Sequence, residues 1–327
     1  MREITFSEAL GEAILEEMER DPTIFTYGED IAKQGGIFGA YKSLLGKFPN
    51  RIFDTPISEE AIYGSALGAA LVGMRPVVEF HFADFLFTGI QSITLQIEKI
   101  RYMTGGQGKL HLVLRGPDGV AQSAAAQHSE SIETIFMHIP GIKIIIPSTP
   151  YDMKGLMKTA LRSDDPVICF EHKRLYKIKG PVPEEEYLIP FGVADIKKEG
   201  KDVTVVTMSR MVHESLKAAN ELKKEGISVE VIDLRTLVPW DKEKVIESVK
   251  KTNHLVIAHE TWKRAGWGAE IASVVQEEAF DYLDAPILRV GEKNVPMPFS
   301  PPLEEFVTPD YKDVINAVKK VLGVENV

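Results

Sequence analysis

The spacing of apolar positions changes repeatedly along the chain, and each change marks an element. Phe6, Leu10 and Ile14 fall on one stripe of a helix predicted over residues 5–19, with Thr5 and Glu8 at capping-box spacing. Residues 23–27 read as a short strand. The glycine loop 34–39 lacks the GxGxxG spacing of a dinucleotide site. A helix over 58–73 opens with Glu59 and Glu60 in its first turn, and 75–80 reads as a strand. Residues 82–103 read as one long helix stopped by Gly105-Gly106. A strand over 110–114 and a short helix over 131–138 follow. The β-branched run 142–146 has the continuous apolar character of a strand buried on both faces. Thr149-Pro150 opens a helix with proline at its first position, and 167–170 is another strand.

Composition shifts over 177–190, which holds three prolines and Glu184-Glu185-Glu186. Beyond it, strands predicted over 203–208, 229–234, 255–259 and 287–290 alternate with helices over 212–224, 242–251 and 269–282. A last helix spans 311–322. This alternation predicts an α/β fold of two domains with mainly parallel sheets, residues 1–180 and 193–327, joined by a linker over 181–192.

The 327 residues carry 38 basic and 48 acidic side chains, a net charge of −10. That balance argues against a nucleic-acid or anionic-membrane binder. The single cysteine, Cys169, excludes an internal disulfide and a cysteine-based zinc cluster, and its apolar neighbours make it a core residue. The N-terminal residues have neither the apolar stretch of a signal peptide nor the basic bias of a transit peptide. No apolar run approaches the roughly 20 residues of a membrane span. A cytoplasmic location is expected.

Three segments can carry chemistry. Thr55-Pro-Ile-Ser-Glu-Glu60 places carboxylates at a helix start, where they either complement the helix dipole or face a ligand cleft. Phe80-His-Phe-Ala-Asp-Phe85 puts aromatic rings at a strand-to-helix junction, where they pack in the core or stack on a flat cofactor. Gln122-Ser-Ala-Ala-Ala-Gln-His128-Ser carries a histidine in a small-residue loop, either a structural group or a proton donor near neutral pH. Gly64, Ser65, Gly68 and Ala69 also leave much of one helix surface small. Glycine in a helix costs about 1 kcal/mol relative to alanine, and close packing against another helix, such as one from a partner subunit, would offset that.

Taken together, the chain resembles the beta subunit of the decarboxylating component of 2-oxo acid dehydrogenase complexes. The resemblance covers essentially the whole chain. It is carried by Phe53-Asp-Thr-Pro-Ile-Ser-Glu59, Gly68-Ala-Ala, Gly73-Met-Arg-Pro76, Gln127-His128-Ser129, Pro140-Gly-Ile-Lys143 and Pro147-Ser-Thr-Pro-Tyr-Asp152. Lys154-Gly-Leu156, Asp165-Pro-Val167, Val231-Ile-Asp-Leu-Arg-Thr236 and Asp284-Ala-Pro286 continue it. Glu130 stands where Gln is common in the family, and Asn294 where Asp is frequent.

The resemblance implies a transketolase-like pyrimidine-binding domain followed by a transketolase C-terminal-like domain. It implies thiamine diphosphate held between alpha and beta chains in an assembly with a second beta chain. The GDG and Asn-Asn motifs that hold magnesium and diphosphate in such enzymes are missing, Pro117-Asp118-Gly119 lacking the first glycine, so magnesium is expected from the alpha subunit. By the same resemblance Glu59 bonds the aminopyrimidine ring nitrogen and promotes the tautomer that removes the thiazolium C2 proton. Ile57 and Phe85 contact the cofactor. His128 protonates the lipoyl dithiolane as the acyl group passes to a lipoyl-bearing acyltransferase core. A monovalent cation such as potassium sits in some members on the backbone of the positions matching Leu112, Ala160, Ser163 and Asp165. The substrate is pyruvate or a branched-chain 2-oxo acid. An acetoin dehydrogenase beta chain is the nearest alternative, and a non-catalytic module that docks the acyltransferase is an alternative of another class.

Overall fold

A computed structural model describes residues 1–324, which fall into two units. The first comprises Met1–Asp118 and Ile135–Phe191; the second comprises Gly119–Thr134 and the chain from Gly192 onward. Each is built around its own sheet.

In the first unit β1 (Arg2–Thr5) pairs antiparallel with β8 (Lys179–Val182). The main sheet is formed by β2 (Ile24–Gly28), β3 (Ile52–Asp54), β4 (Arg75–Glu79), β5 (Val113–Asp118), β6 (Lys143–Ile145) and β7 (Val167–His172). These strands lie in the order β6-β7-β5-β4-β2-β3, all parallel. One face is covered by helices α1 (Phe6–Arg20) and α2 (Pro150–Leu161), which bury Phe6, Leu10, Ile14, Met153 and Leu156 against Val77, Val113 and Val167. Both bonds of the Thr5/Glu8 capping box are made, and Thr149 caps α2. Cys169 lies in this core.

Two features depart from the sequence expectation. Residues 82–103 are not one α-helix but a 3-10 stretch (Ala83–Gly89), a π-helical stretch (Ser92–Ile97) and a short α-helix (Glu98–Met103). Thr88 Oγ1 donates to the Phe85 carbonyl at 2.7 Å and Thr94 Oγ1 to that of Ile90 at 2.8 Å, competing with the regular ladder. The strand placed over 110–114 runs instead from Val113 to Asp118. Arg115 reads as a strand end in sequence, but it is 1% exposed and sheathed by Glu79 and Glu171. The proline- and glutamate-rich stretch packs on the first unit. Ile189 joins the core, Tyr187 stacks on Tyr151 with ring centroids 4.5 Å apart, and Glu186 pairs with Arg162 at 2.7 Å. Its apolar positions alternate, and that pattern docks it.

In the second unit β9 (Asp195–Lys198), β10 (Val203–Thr207), β11 (Val229–Asp233), β13 (Leu255–Trp262) and β14 (Leu288–Glu292) form a sheet ordered β14-β13-β10-β11-β9; the short β12 is Thr236–Val238. Only the edge strand β9 runs antiparallel. Helices Arg210–Lys224 and Tyr311–Val321 close the core; the latter buries Val314, Val318 and Val321 at i, i+4 and i+7 behind an Asp310/Asp313 capping box. β9 and the helix Pro301–Val307 were not legible in the sequence pattern. Among the described residues no helix is long and apolar enough to cross a membrane.

Candidate active site

In the first unit the chain leaves β2 toward β3 at the edge and leaves β4 toward β5 on the other side. The connections therefore diverge above the C-terminal ends of β2 and β4, where open parallel sheets leave a ligand crevice. Glu29 follows β2 and His81 lies two residues beyond β4, and Glu29 Oε2 is 3.6 Å from His81 Nδ1. The strands approach closely here: a Cβ on Gly28 would lie 2.9 Å from the Glu79 Cβ. Below, Arg115 Nε donates to Glu171 Oε1 at 2.6 Å and pairs with Glu79, while Tyr176 OH donates to Glu171 at 2.8 Å. This buried network makes a rigid polar floor.

Glu59 reaches the same place from β3. Thr55 N–H donates to the Gly28 carbonyl at 2.9 Å and Asp54 Oδ1 accepts from Ala32 N–H at 2.6 Å, so the segment after β3 is tied over the end of β2. The helix α3 (Glu59–Leu71) then begins, and its N-cap Ser58 makes no side-chain capping bond. Glu59 is half-buried, and its carboxylate makes no hydrogen bond or ion pair among the described residues. Its charge is felt nearby. Burial, with Glu59 and then Asp30, pushes the Glu29 carboxyl up; burial, with Glu59 and Glu29, pushes the Tyr63 phenol up. The Tyr63 hydroxyl is buried without a partner. Two carboxylates and a histidine thus share one acidic crevice.

The 3-10 stretch brings the aromatic cluster alongside. A Cβ on Gly89 would strike the Tyr63 ring at 2.3 Å and lie 3.2 Å from the Glu59 carbonyl carbon, so glycine permits this packing. Ser92 Oγ also donates to Glu60 at 2.6 Å. Phe85 is half-buried, edge-on to Phe82 with centroids 5.7 Å apart. Ile57 is 77% exposed at the rim. Glu59 and Phe85 therefore share one corner of the first unit. Glu29 was not singled out from sequence. Its role depends on strand order, which no local pattern carries.

His128 belongs to the second unit. Its loop is pinned at Val120, whose N–H donates to Glu260 at 2.8 Å, and at Ser123, whose N–H donates to Glu304 at 2.8 Å. Thr261 donates to the Ser131 carbonyl at 2.7 Å. Ser123 and Ala125 take left-handed backbone angles, and His128 is half-buried. The excursion of residues 119–134 into the second unit leaves no trace in composition.

Around Leu112, Ala160, Ser163 and Asp165 the loop is already closed. Val167 N–H donates to the Leu112 carbonyl at 2.9 Å and Ser163 N–H to that of Ala160 at 3.1 Å. Asp165 is paired with Lys143 at 2.5 Å and with Arg101. Two cations thus neutralise this carboxylate. Among the described residues no group of three or more His, Cys, Asp or Glu could hold a metal.

Comparison with known proteins identifies the family and the fold. Residues 2–179 match the family model "Transketolase, pyrimidine binding domain", and residues 192–314 match "Transketolase, C-terminal domain". The chain is 49% identical to pyruvate dehydrogenase E1 component subunit beta of Rickettsia felis, covering 98% of each chain. It is 44% identical to the 2-oxoisovalerate dehydrogenase subunit beta of Bacillus subtilis, over 95% of this chain and 96% of that one. Identity is also 44% to the acetoin:2,6-dichlorophenolindophenol oxidoreductase subunit beta of Cupriavidus necator, over 98% of each. Among solved structures, a split-gene transketolase described as an inactive beta4 tetramer aligns with a TM-score of 0.81 at 27% identity, over 99% of this chain and 100% of that one.

Proposed function

The chain belongs to the transketolase-type beta subunits of 2-oxo acid dehydrogenase decarboxylating components, and from that membership we propose that Glu59, Phe85 and Ile57 form its half of a thiamine diphosphate site. The observation that carries the proposal is the partnerless Glu59 carboxylate beside an aromatic at the strand-order crevice. The residues fit the pyrimidine end of the cofactor: a carboxyl for a ring nitrogen, an aromatic face and an apolar rim. They do not fit the other end, because Glu29 and Glu59 repel a diphosphate. Magnesium and the diphosphate are therefore assigned to the alpha subunit.

When bound, thiamine diphosphate supplies the electron sink for loss of carbon dioxide from the 2-oxo acid. Glu59 holds a proton at its carboxyl oxygen for the aminopyrimidine nitrogen, and Glu29 keeps that corner acidic. Phe85 and Ile57 exclude water from the ring faces. His128, on its pinned loop, donates a proton to the dithiolane sulfur of an acyltransferase lipoyl group. The substrate is pyruvate or a branched-chain 2-oxo acid, the partners are the alpha subunit, a second beta chain and the acyltransferase core, and the compartment is the cytoplasm. The domain division at 181–192 belongs to the same proposal.

The test is co-expression with an alpha subunit and a substrate panel read with an artificial electron acceptor. The chain alone, given thiamine diphosphate and magnesium, is expected to show no decarboxylation. Turnover by the chain alone would overturn the shared-site reading, and turnover of acetoin but of no 2-oxo acid would overturn the substrate assignment.

A further inference from the structure

A concavity of about 280 Å³ lies wholly within the second unit, between the edge strand β14 and the helix Tyr311–Val321. Asp313, Asn316 and Lys320 enter it from one helix face at i, i+3 and i+7; Lys263, Arg289 and Lys293 enter from the end of β13 and from β14. Four cationic side chains thus share one small space in a chain of net charge −10.

Among the described residues none of the four is paired with a carboxylate. Arg289 Nη1 donates to the Lys263 carbonyl at 2.8 Å, and Lys293 Nζ sits 4.3 Å from the centre of the Phe306 ring. Asp313, the acid in the lining, is used by its helix cap, accepting from Asp310 N–H at 3.0 Å. The neighbouring Lys319 shows the contrast, pairing with Glu225 at 2.7 Å. The positive potential reaches inward as well. Burial pushes the His259 imidazole down to about 4, and Arg289 and Lys263 push in the same direction.

Like charges held together repel, and a bound anion relieves them. The volume falls just under the usual range for small-molecule pockets, roughly 300–1,000 Å³, and admits a compact ligand rather than an extended one. Lysines act as point charges toward phosphate, and an arginine adds a fork that can bind two oxygens. We propose that this concavity binds a small phosphate-bearing anion through Lys263, Arg289, Lys293 and Lys320. The proposal does not depend on the thiamine reading.

Calorimetric titration of the full chain with inorganic pyrophosphate, without magnesium and at physiological chloride, tests it. Saturable one-to-one binding is expected. The double variant Lys263→Gln/Lys320→Gln, at two exposed positions, should bind at least tenfold more weakly with an unchanged melting temperature. Lys201→Gln, an exposed lysine elsewhere in the same unit, should bind as the parent does. Absence of saturable binding overturns the proposal, as does equal weakening by the Lys201 variant, which would mean diffuse charge. Binding of a polyglutamate peptide but not pyrophosphate would make the concavity a peptide-docking surface and also overturn it.

Discussion

At the scale of single residues, side chains left without a partner separate function from packing. Glu59 combines partial burial, a helix start and no bond of its own. In the assembled enzyme Glu59→Gln is expected to preserve assembly and cofactor affinity, since the amide is nearly isosteric. It should slow hydrogen–deuterium exchange at the cofactor's C2 by roughly 10²-fold or more, because the amide cannot hold the proton. An unchanged exchange rate would return Glu59 to the role of a helix-dipole partner. Glu98 is the contrasting case. Both of its oxygens are buried without hydrogen bonds, Lys99 Nζ stands 3.7 Å away, and burial lifts its carboxyl to about 7. A raised acid favours the protonated native state, so its contribution is fully present below about 4.5 and is lost as pH rises through about 7. His259, lowered to about 4, has the opposite sign but is common to parent and variant. Glu98→Gln should therefore gain up to about 3 kcal/mol relative to the parent between pH 4.5 and 8, as read by urea unfolding. A constant difference across that range would contradict the burial assignment.

At the scale of elements, regular pieces were legible where local chemistry decides them, and irregular ones were not. The Thr5/Glu8 cap, the Pro150 helix start and the Val314/Val318/Val321 stripe all follow from short spacings. The 82–103 segment misleads because its composition is helical while Gly89 answers to Tyr63, distant in sequence, and the Thr88 and Thr94 hydroxyls bond nearby carbonyls in competition with the ladder. Arg115 hides the end of β5 because its partners, Glu79 and Glu171, come from two other strands. The contact at Gly89 makes the corner's dependence on this irregular stretch measurable. Gly89→Ala should destabilise by roughly 1–3 kcal/mol, since the new methyl meets the Tyr63 ring at 2.3 Å. Tyr63→Leu in the same chain should recover part of the loss. A neutral Gly89→Ala would mean that the 3-10 stretch shifts without cost and does not fix Phe85.

At the scale of the whole molecule, the candidate residues are shared between two units, Glu59 and Phe85 in one and His128 in the other. The small-residue stripe seen in sequence lies on a face that the first unit leaves uncovered. A Cβ on Gly68 would meet nothing within 4 Å, and Leu71 and Val72 at the end of the same helix are 52% and 81% exposed. Among the described residues nothing uses the closeness that Gly68 allows, which leaves this face open to a neighbour outside the chain. Gly68→Phe separates the two possibilities. Within the chain the substitution fills open space and removes a helix-interior glycine, so the melting temperature of the isolated chain should hold or rise slightly. In the assembly the ring would hold a partner helix away, and co-purification with the alpha subunit or the second beta chain should fail. Size-exclusion chromatography of the co-expressed pair reads this directly. Normal assembly of Gly68→Phe would remove that face from the subunit interface, and loss of stability in the isolated chain would mean that the face is covered by the chain itself.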